Sequence, residues 1–199
     1  MTERSPIDQG LDDAIALATW LRDSERATGA IAAIAAHLAG VLSGGGRVLT
    51  CGNGGSLCDA IHFAEEMSGR FRDDRPALAV QSMADATHLT CVANDYGFER
   101  VFARGVEAWG KAGDALVVFS TSGKSPNLIA AVEAARARGL SVVGLLGRDG
   151  GRLKGACDHA IVVPGTTSDR IQEVHIKVLH IAIEAVERTL FPANYAAAR

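Results

Sequence analysis

"RVLTCGNGGSLCDAIHFAEEMSGR", Arg47 to Arg70, reads as a strand, a glycine-rich turn and a helix in immediate succession. Its first part, 47 to 52, is a short β-like run, largely apolar. Small residues close that run, and a helical pattern follows over 57 to 70. The same unit recurs downstream. Further strands are expected at 77 to 81, 115 to 120, 141 to 147 and 160 to 165, with helices at 84 to 93, 98 to 109, 127 to 138 and 169 to 190. Nearly continuous apolar strands suit a sheet buried on both faces. Alternation of strand and helix makes that sheet mainly parallel, flanked by helices on both faces and crossed right-handedly, an α/β doubly wound fold. Upstream, Leu11, Ala14, Ile15, Leu17, Ala18 and Leu21 recur at helical steps, and a second stripe covers Ile31 to Leu42. The expected organisation is one compact unit of 199 residues: an N-terminal helical segment, 1 to 45, packing on the same domain or at an oligomer interface, an α/β domain, 46 to 192, and a tail, 193 to 199.

Twenty basic residues stand against 23 acidic ones, for a net charge of −3, and no long basic run offers a footprint for nucleic acid. A small-molecule partner is expected instead. No apolar run is expected to reach the roughly 20 residues that span a bilayer. The opening "MTERSPIDQG" is too polar for a secretory signal, so the reading is a cytoplasmic protein without a membrane partner. Cys51, Cys58, Cys91 and Cys157 form no CxxC pair and read as buried free thiols.

In an open parallel sheet, ligands bind beyond the carboxyl ends of the strands. Two loops there carry unusual chemistry. "CGNGGS" follows the first strand, and its glycines permit close backbone approach while Ser56 can cap the next helix. "STSGKSPN" follows the third strand and offers Ser120, Thr121, Ser122 and Ser125 beside a helix starting near Pro126. Hydroxyls and backbone N–H groups together suit a phosphate. A Walker A loop would need Gly at Val118, and a dinucleotide fingerprint would need Gly at Leu57, so neither ATP nor NAD fits.

On the helix after "CGNGGS", Leu57, Ala60, Ile61, Ala64 and Met67 form the expected apolar stripe, with Asp59, His62 and Glu66 on the other face. His62 and Glu66 lie four apart, which suits two ligands of one metal, a paired acid and base, or an ordinary solvated pair. The late helix "SDRIQEVHIKVLHIAIEAVE" poses a separate problem, because Glu173, Lys177, His180, Glu184 and Arg188 share one polar stripe with an expected Glu173/Lys177 pair. Gln172 and His180 stand about 12 Å apart along such a helix, so they form no local two-ligand motif.

Taken together, "CGNGGSLCDAIHFAEEMSGR", "ANDYGFERVF", "FSTSGKSPN", "GRDGGRL" and "DRIQEVHIKVLHIAIEAVE" closely resemble the phosphoheptose isomerases of the sugar isomerase (SIS) domain superfamily, over nearly the whole chain. The resemblance implies an SIS-type α/β fold, a homotetramer with sites at subunit interfaces, and one zinc ion per subunit. It implies His62, Glu66, Gln172 and His180 as zinc ligands, with Glu66 and His180 catalytic. Substrate contacts would be Asn53, Gly54, Gly55, Ser56, Glu66, Asn94, Asp95, Ser120, Thr121, Ser122, Ser125, Asp169 and Gln172, the serines mainly around phosphate. His175 has no metal role in that pattern and is assigned to packing or hydrogen bonding. Leu57 replaces a polar residue found in some relatives, and the "GTTSDR" approach to Asp169 is short. The implied activity is conversion of sedoheptulose 7-phosphate to D-glycero-D-manno-heptose 7-phosphate through an enediol, an early step towards ADP- or GDP-heptose and lipopolysaccharide core. The alternatives within the superfamily are an isomerase of another sugar phosphate and a non-catalytic adaptor that binds the replication initiator.

Overall fold

The computed structural model of the protein describes residues 5–196. Five strands, β1 (Val48–Gly52), β2 (Val80–Ser82), β3 (Ala115–Ser120), β4 (Ser141–Gly147) and β5 (His159–Val163), form one sheet in the order β2-β1-β3-β4-β5, with every pairing parallel. Two helices precede it, α1 (Pro6–Asp23) and α2 (Glu25–Ser43). The break between them is Ser24, which ends α1 and caps α2 by accepting the Ala27 N–H at 3.2 Å. The remaining helices are α3 (Gly55–Ser68), α4 (Ala86–Tyr96), α5 (Val101–Trp109), α6 (Pro126–Ala137) and α7 (Ser168–Leu190).

The sheet separates two cores. Ile34 and Leu38 of α2, Phe63 and Met67 of α3, and Val178 and Ile183 of α7 pack on one face. Val101 and Phe102 of α5 and Leu128 and Val132 of α6 pack on the other. The inner strands β1 and β3 are buried throughout, as two covered faces require. Because β1 lies between β2 and β3, the chain leaves β1 for one face and β3 for the other. That reversal opens a crevice at the carboxyl ends of β1 and β3, where both singular loops sit.

Several local expectations change. The second strand is displaced from 77–81 to Val80–Ser82, because the segment before it serves other bonds: Leu78 N–H donates to the Met67 carbonyl at the end of α3, and pairing to β1 starts at Val80. Helix α2, at 19 residues and mean hydropathy 1.3, is long and apolar enough by length and composition to cross a membrane, which the scattered Ala, Gly and Ile of its sequence had concealed. Six of its side chains are buried in the core against α7 and the sheet, and Arg26 and His37 interrupt it. Cys58 and Cys91 are exposed, while Cys51 is buried as expected and Cys157 partly so. Each exposed thiol sits on the outward side of a helix that buries its apolar face. Part of the expected tail is a helical turn, Pro192–Tyr195, fastened by Asn194 donating to the Asp74 carbonyl and Tyr195 to Glu187; residues 197–199 lie outside the described residues.

Candidate functional site

The two crevice loops are cross-linked. Asn53 and Asn127 exchange two amide hydrogen bonds of 2.9 and 2.8 Å, joining the turn after β1 to the first turn of α6. Asn127 is buried and escaped sequence reasoning, although it closes the "STSGKSPN" motif. Ser120 accepts the Gly123 N–H at 2.9 Å, Ser122 accepts the Lys124 N–H, and the Thr121 and Ser168 hydroxyls meet at 3.0 Å. Ser125 is the N-cap of α6 without a side-chain capping bond, so its hydroxyl is not spent on the first N–H groups of the helix. Gly123, at φ 63°, lies so near the next loop that a Cβ would sit 1.9 Å from the Gly150 carbonyl oxygen. Only glycine lets the two loops interlock.

Ser56 does not cap α3. The N-cap is Gly54 at φ 54°, and Ser56 is buried inside the first turn, where its hydroxyl accepts from Gln172 Nε2 at 3.3 Å. Gly55 makes this approach possible, since a Cβ there would meet the Gln172 amide oxygen at 2.6 Å. The polar face expected on α3 is also altered: Asp59 is buried, whereas Ile61 is exposed. Among the described residues no hydrogen bond reaches the Asp59 carboxyl, and burial pushes it up to about 7.

His62 and Glu66 on α3 meet His180 on α7. The two imidazole Nε2 atoms are 2.9 Å apart, and Glu66 Oε1 lies 3.4 Å from that of His62 and 4.0 Å from that of His180. Phe71, unnoticed in the sequence, stacks on the His180 ring at 5.8 Å between centroids. Burial holds the His180 imidazolium below its ordinary range, and repulsion from His62 adds to this against the attraction of Glu66. Tetrahedral zinc with bonds of about 2.0 to 2.2 Å separates its ligands by about 3.4 Å. The observed spacings bracket that value, all within 4.8 Å, and neutral imidazole and carboxylate are the donor types zinc takes. The cluster therefore fits a metal ion. Gln172 instead meets the start of α3 through Ser56, and among the described residues no hydrogen bond joins it to the other three.

Residues 14–147 match the family described as "SIS domain". The chain is 59% identical over 162 residues to the phosphoheptose isomerase of Fusobacterium nucleatum, covering 81% of this chain and 84% of that one. It belongs to the phosphoheptose isomerase family. The Yersinia enterocolitica phosphoheptose isomerase is 47% identical over 191 residues, 96% of this chain and 97% of its own. The solved phosphoheptose isomerase of Neisseria gonorrhoeae superposes with a TM-score of 0.84 at 37% identity, over 91% of this chain and 96% of that chain. As a phosphoheptose isomerase family member the chain is an enzyme of the isomerase class, with the SIS-like α/β fold read from its sequence.

Other residues expected from the resemblance lie apart from the cluster. Asn94 donates to Asp95, which also accepts from Cys91; all three are exposed on α4, and among the described residues no hydrogen bond ties them to the crevice. Asp169 is exposed beside Arg170 at 3.6 Å, its carboxyl held low chiefly by the Thr167 hydroxyl. Arg170 pairs with Glu173, so the expected Glu173/Lys177 pair is replaced. His175 is fully buried, with Nε2 3.2 Å from the Leu146 carbonyl, and burial pushes it down to about 4; packing is its visible role.

Proposed function

We propose that the protein interconverts sedoheptulose 7-phosphate and D-glycero-D-manno-heptose 7-phosphate, with the phosphate held by Ser120, Thr121, Ser122 and Ser125 and the reacting carbons beside His62, Glu66 and His180. The observation that carries this reading is the convergence of a carboxylate and two imidazoles from separate helices, one of which starts directly after the glycine-rich loop of the crevice. Asn53, Gly54, Gly55, Ser56 and Gln172 would line the sugar on the β1 side, Asp169 on the β5 side, and Asn94 and Asp95 would complete the site when α4 or a neighbouring subunit closes on it.

The reaction moves one proton from C1 of the ketose to C2 of the aldose, while the O1 hydroxyl proton is lost and O2 gains one. Glu66 suits the carbon proton: both imidazole contacts fall on Oε1, leaving Oε2 as the base. His180, whose imidazolium burial disfavours, exchanges protons between the two oxygens. Phe71 holds the His180 ring plane for that exchange. His62, Glu66, His180 and Gln172 would hold one zinc ion, which when bound supplies a Lewis acid and a template for the sugar oxygens.

The same reading places the chain in the cytoplasm, on the route to ADP- or GDP-heptose and lipopolysaccharide core, as a homotetramer built on its helical segment, 1 to 45. Two features support assembly. Ile7, Leu11 and Ile15 stand exposed on α1 and Ile181 on α7, an apolar surface that a second copy would cover. A groove of about 500 Å³ lies between α1 and α7, whereas the catalytic cluster is half-exposed in the single chain. The test is Glu66→Gln: turnover should fall at least a hundredfold with the melting temperature nearly unchanged, and near wild-type turnover would sink the assignment of Glu66 as base.

A further inference from the structure

Helices α3 and α7 run side by side in the same direction, with polar contacts at three levels. Gln172 meets Ser56 at the start, His180 meets His62 in the middle, and Glu187 faces the end of α3 through Arg75. Arg75 comes from the loop between α3 and β2. Its Nε donates to Glu187 Oε1 at 2.7 Å, Nη2 to the Glu66 carbonyl at 2.8 Å, and Nη1 to the Met67 and Gly69 carbonyls at 2.8 and 3.1 Å. The side chains of Arg75 and Glu187 are 1% and 3% exposed, and Tyr195 donates to the second Glu187 oxygen at 2.7 Å.

We propose that Arg75 and Glu187 are a positioning pair that sets the spacing of α3 from α7 and so holds His62 and Glu66 opposite His180. The proposal rests on the reading of that cluster as the reacting and metal-binding centre. A helix leaves its last carbonyls without intrahelical donors, and a cation there is favoured by the dipole. Arg75 satisfies those of Glu66 and Met67, and one of them is the backbone of the proposed base itself. With the remaining Nε fixed on α7, α3 cannot slide or rotate without breaking a buried charge-assisted bond. A planar fork is needed to reach both helices at once, which a lysine cannot supply. A buried ion pair is a poor device for stability alone, since apolar pairs of similar volume often serve as well. Partners that orient a metal's ligands, by contrast, are worth about 10- to 100-fold in metal affinity.

The test compares wild type with Arg75→Met/Glu187→Met, Arg75→Lys and Glu187→Gln in the full chain. Each is measured for melting temperature, for Co²⁺ affinity by visible absorption against a competing chelator, and for kcat and KM on sedoheptulose 7-phosphate. The double variant should melt no more than about 10 °C below wild type, the loss set by the Glu66 carbonyl left without its donor rather than by the ion pair. It should bind Co²⁺ at least tenfold more weakly and lose at least tenfold in kcat, with KM within about twofold because the phosphate loop follows β3. Arg75→Lys should not rescue kcat. Glu187→Gln keeps the shape and decides the matter if the double variant fails to fold: weaker Co²⁺ binding and a lower kcat are expected, and wild-type values of both with a lowered melting temperature would overturn the proposal. Wild type that binds no Co²⁺ would refute the metal reading instead, and the kcat against KM comparison would then still decide the positioning role.

Discussion

Gly123→Ala isolates the interlock between the two loops at the carboxyl ends of β3 and β4. The new Cβ would lie 1.9 Å from the Gly150 oxygen and 2.4 Å from its carbon, both backbone atoms that cannot rotate away, at a backbone φ of 63°. An alanine in the left-handed region costs about 1 kcal/mol. Overpacking against fixed backbone adds about 3 kcal/mol, the upper part of the usual range. The sum, about 4 kcal/mol, corresponds to a fall of about 12 °C in melting temperature for a chain of this size. Gly45→Ala is the control: φ there is 79°, with nothing within 4 Å of the Cβ, so only the first cost applies and the fall should be about 3 °C. Scanning calorimetry of both variants measures the difference. Gly123→Ala should also raise KM for the sugar phosphate severalfold, since Ser120 and Ser122 anchor to the same turn. Equal melting temperatures for the two variants would refute the account of the interlock.

Three further outcomes are expected. His175 is near 4 in the folded protein and near 6.5 unfolded, so below pH 6.5 the unfolded chain takes up a proton that the folded one refuses. Stability should fall as pH drops from about 6.5 and level off below about 4, a total of about 3 kcal/mol, and His175→Gln should remove that limb from urea unfolding curves measured across the range. Asp59 has the opposite sign: its folded carboxyl is raised to about 7, so the unfolded chain ionises first and stability is lost as pH rises from about 4 to about 7. Asp59→Asn should therefore be stabilising relative to wild type at pH 8 and neutral at pH 4, and a pH-independent difference would count against the buried acid. Gly55→Ala places a methyl 2.6 Å from the Gln172 amide and should displace that side chain, lowering kcat/KM about tenfold while Co²⁺ still binds His62, Glu66 and His180. Unchanged kcat/KM would remove Gln172 from the site.

Strand and helix order were legible because each inner strand is a dense apolar run and each crossing helix carries a 3.6-residue stripe. The edge strand was harder. Val80–Ser82 is only three residues long, and its start is set by Leu78 bonding to the Met67 carbonyl, a tertiary fact invisible in "ALAVQ". The site was half legible. His62 and Glu66 share one helix face, but their union with His180, 118 residues later, depends on two helices lying parallel across the sheet. Spacing along α7 could not supply this, and the family resemblance did. Arg75 was illegible for the same reason: "RFRDDR" presents three arginines of equal appearance, and only folding buries one of them against Glu187. Asp59 misled because a carboxylate beside His62 reads as solvated, whereas the turn of α3 directs it inward.

The most direct measurement is turnover of sedoheptulose 7-phosphate by the purified protein, with NMR of the products, before chelation, after it, and after zinc is restored. The account predicts an aldose 7-phosphate that chelation abolishes and zinc restores. No aldose from the zinc-loaded protein would contradict it.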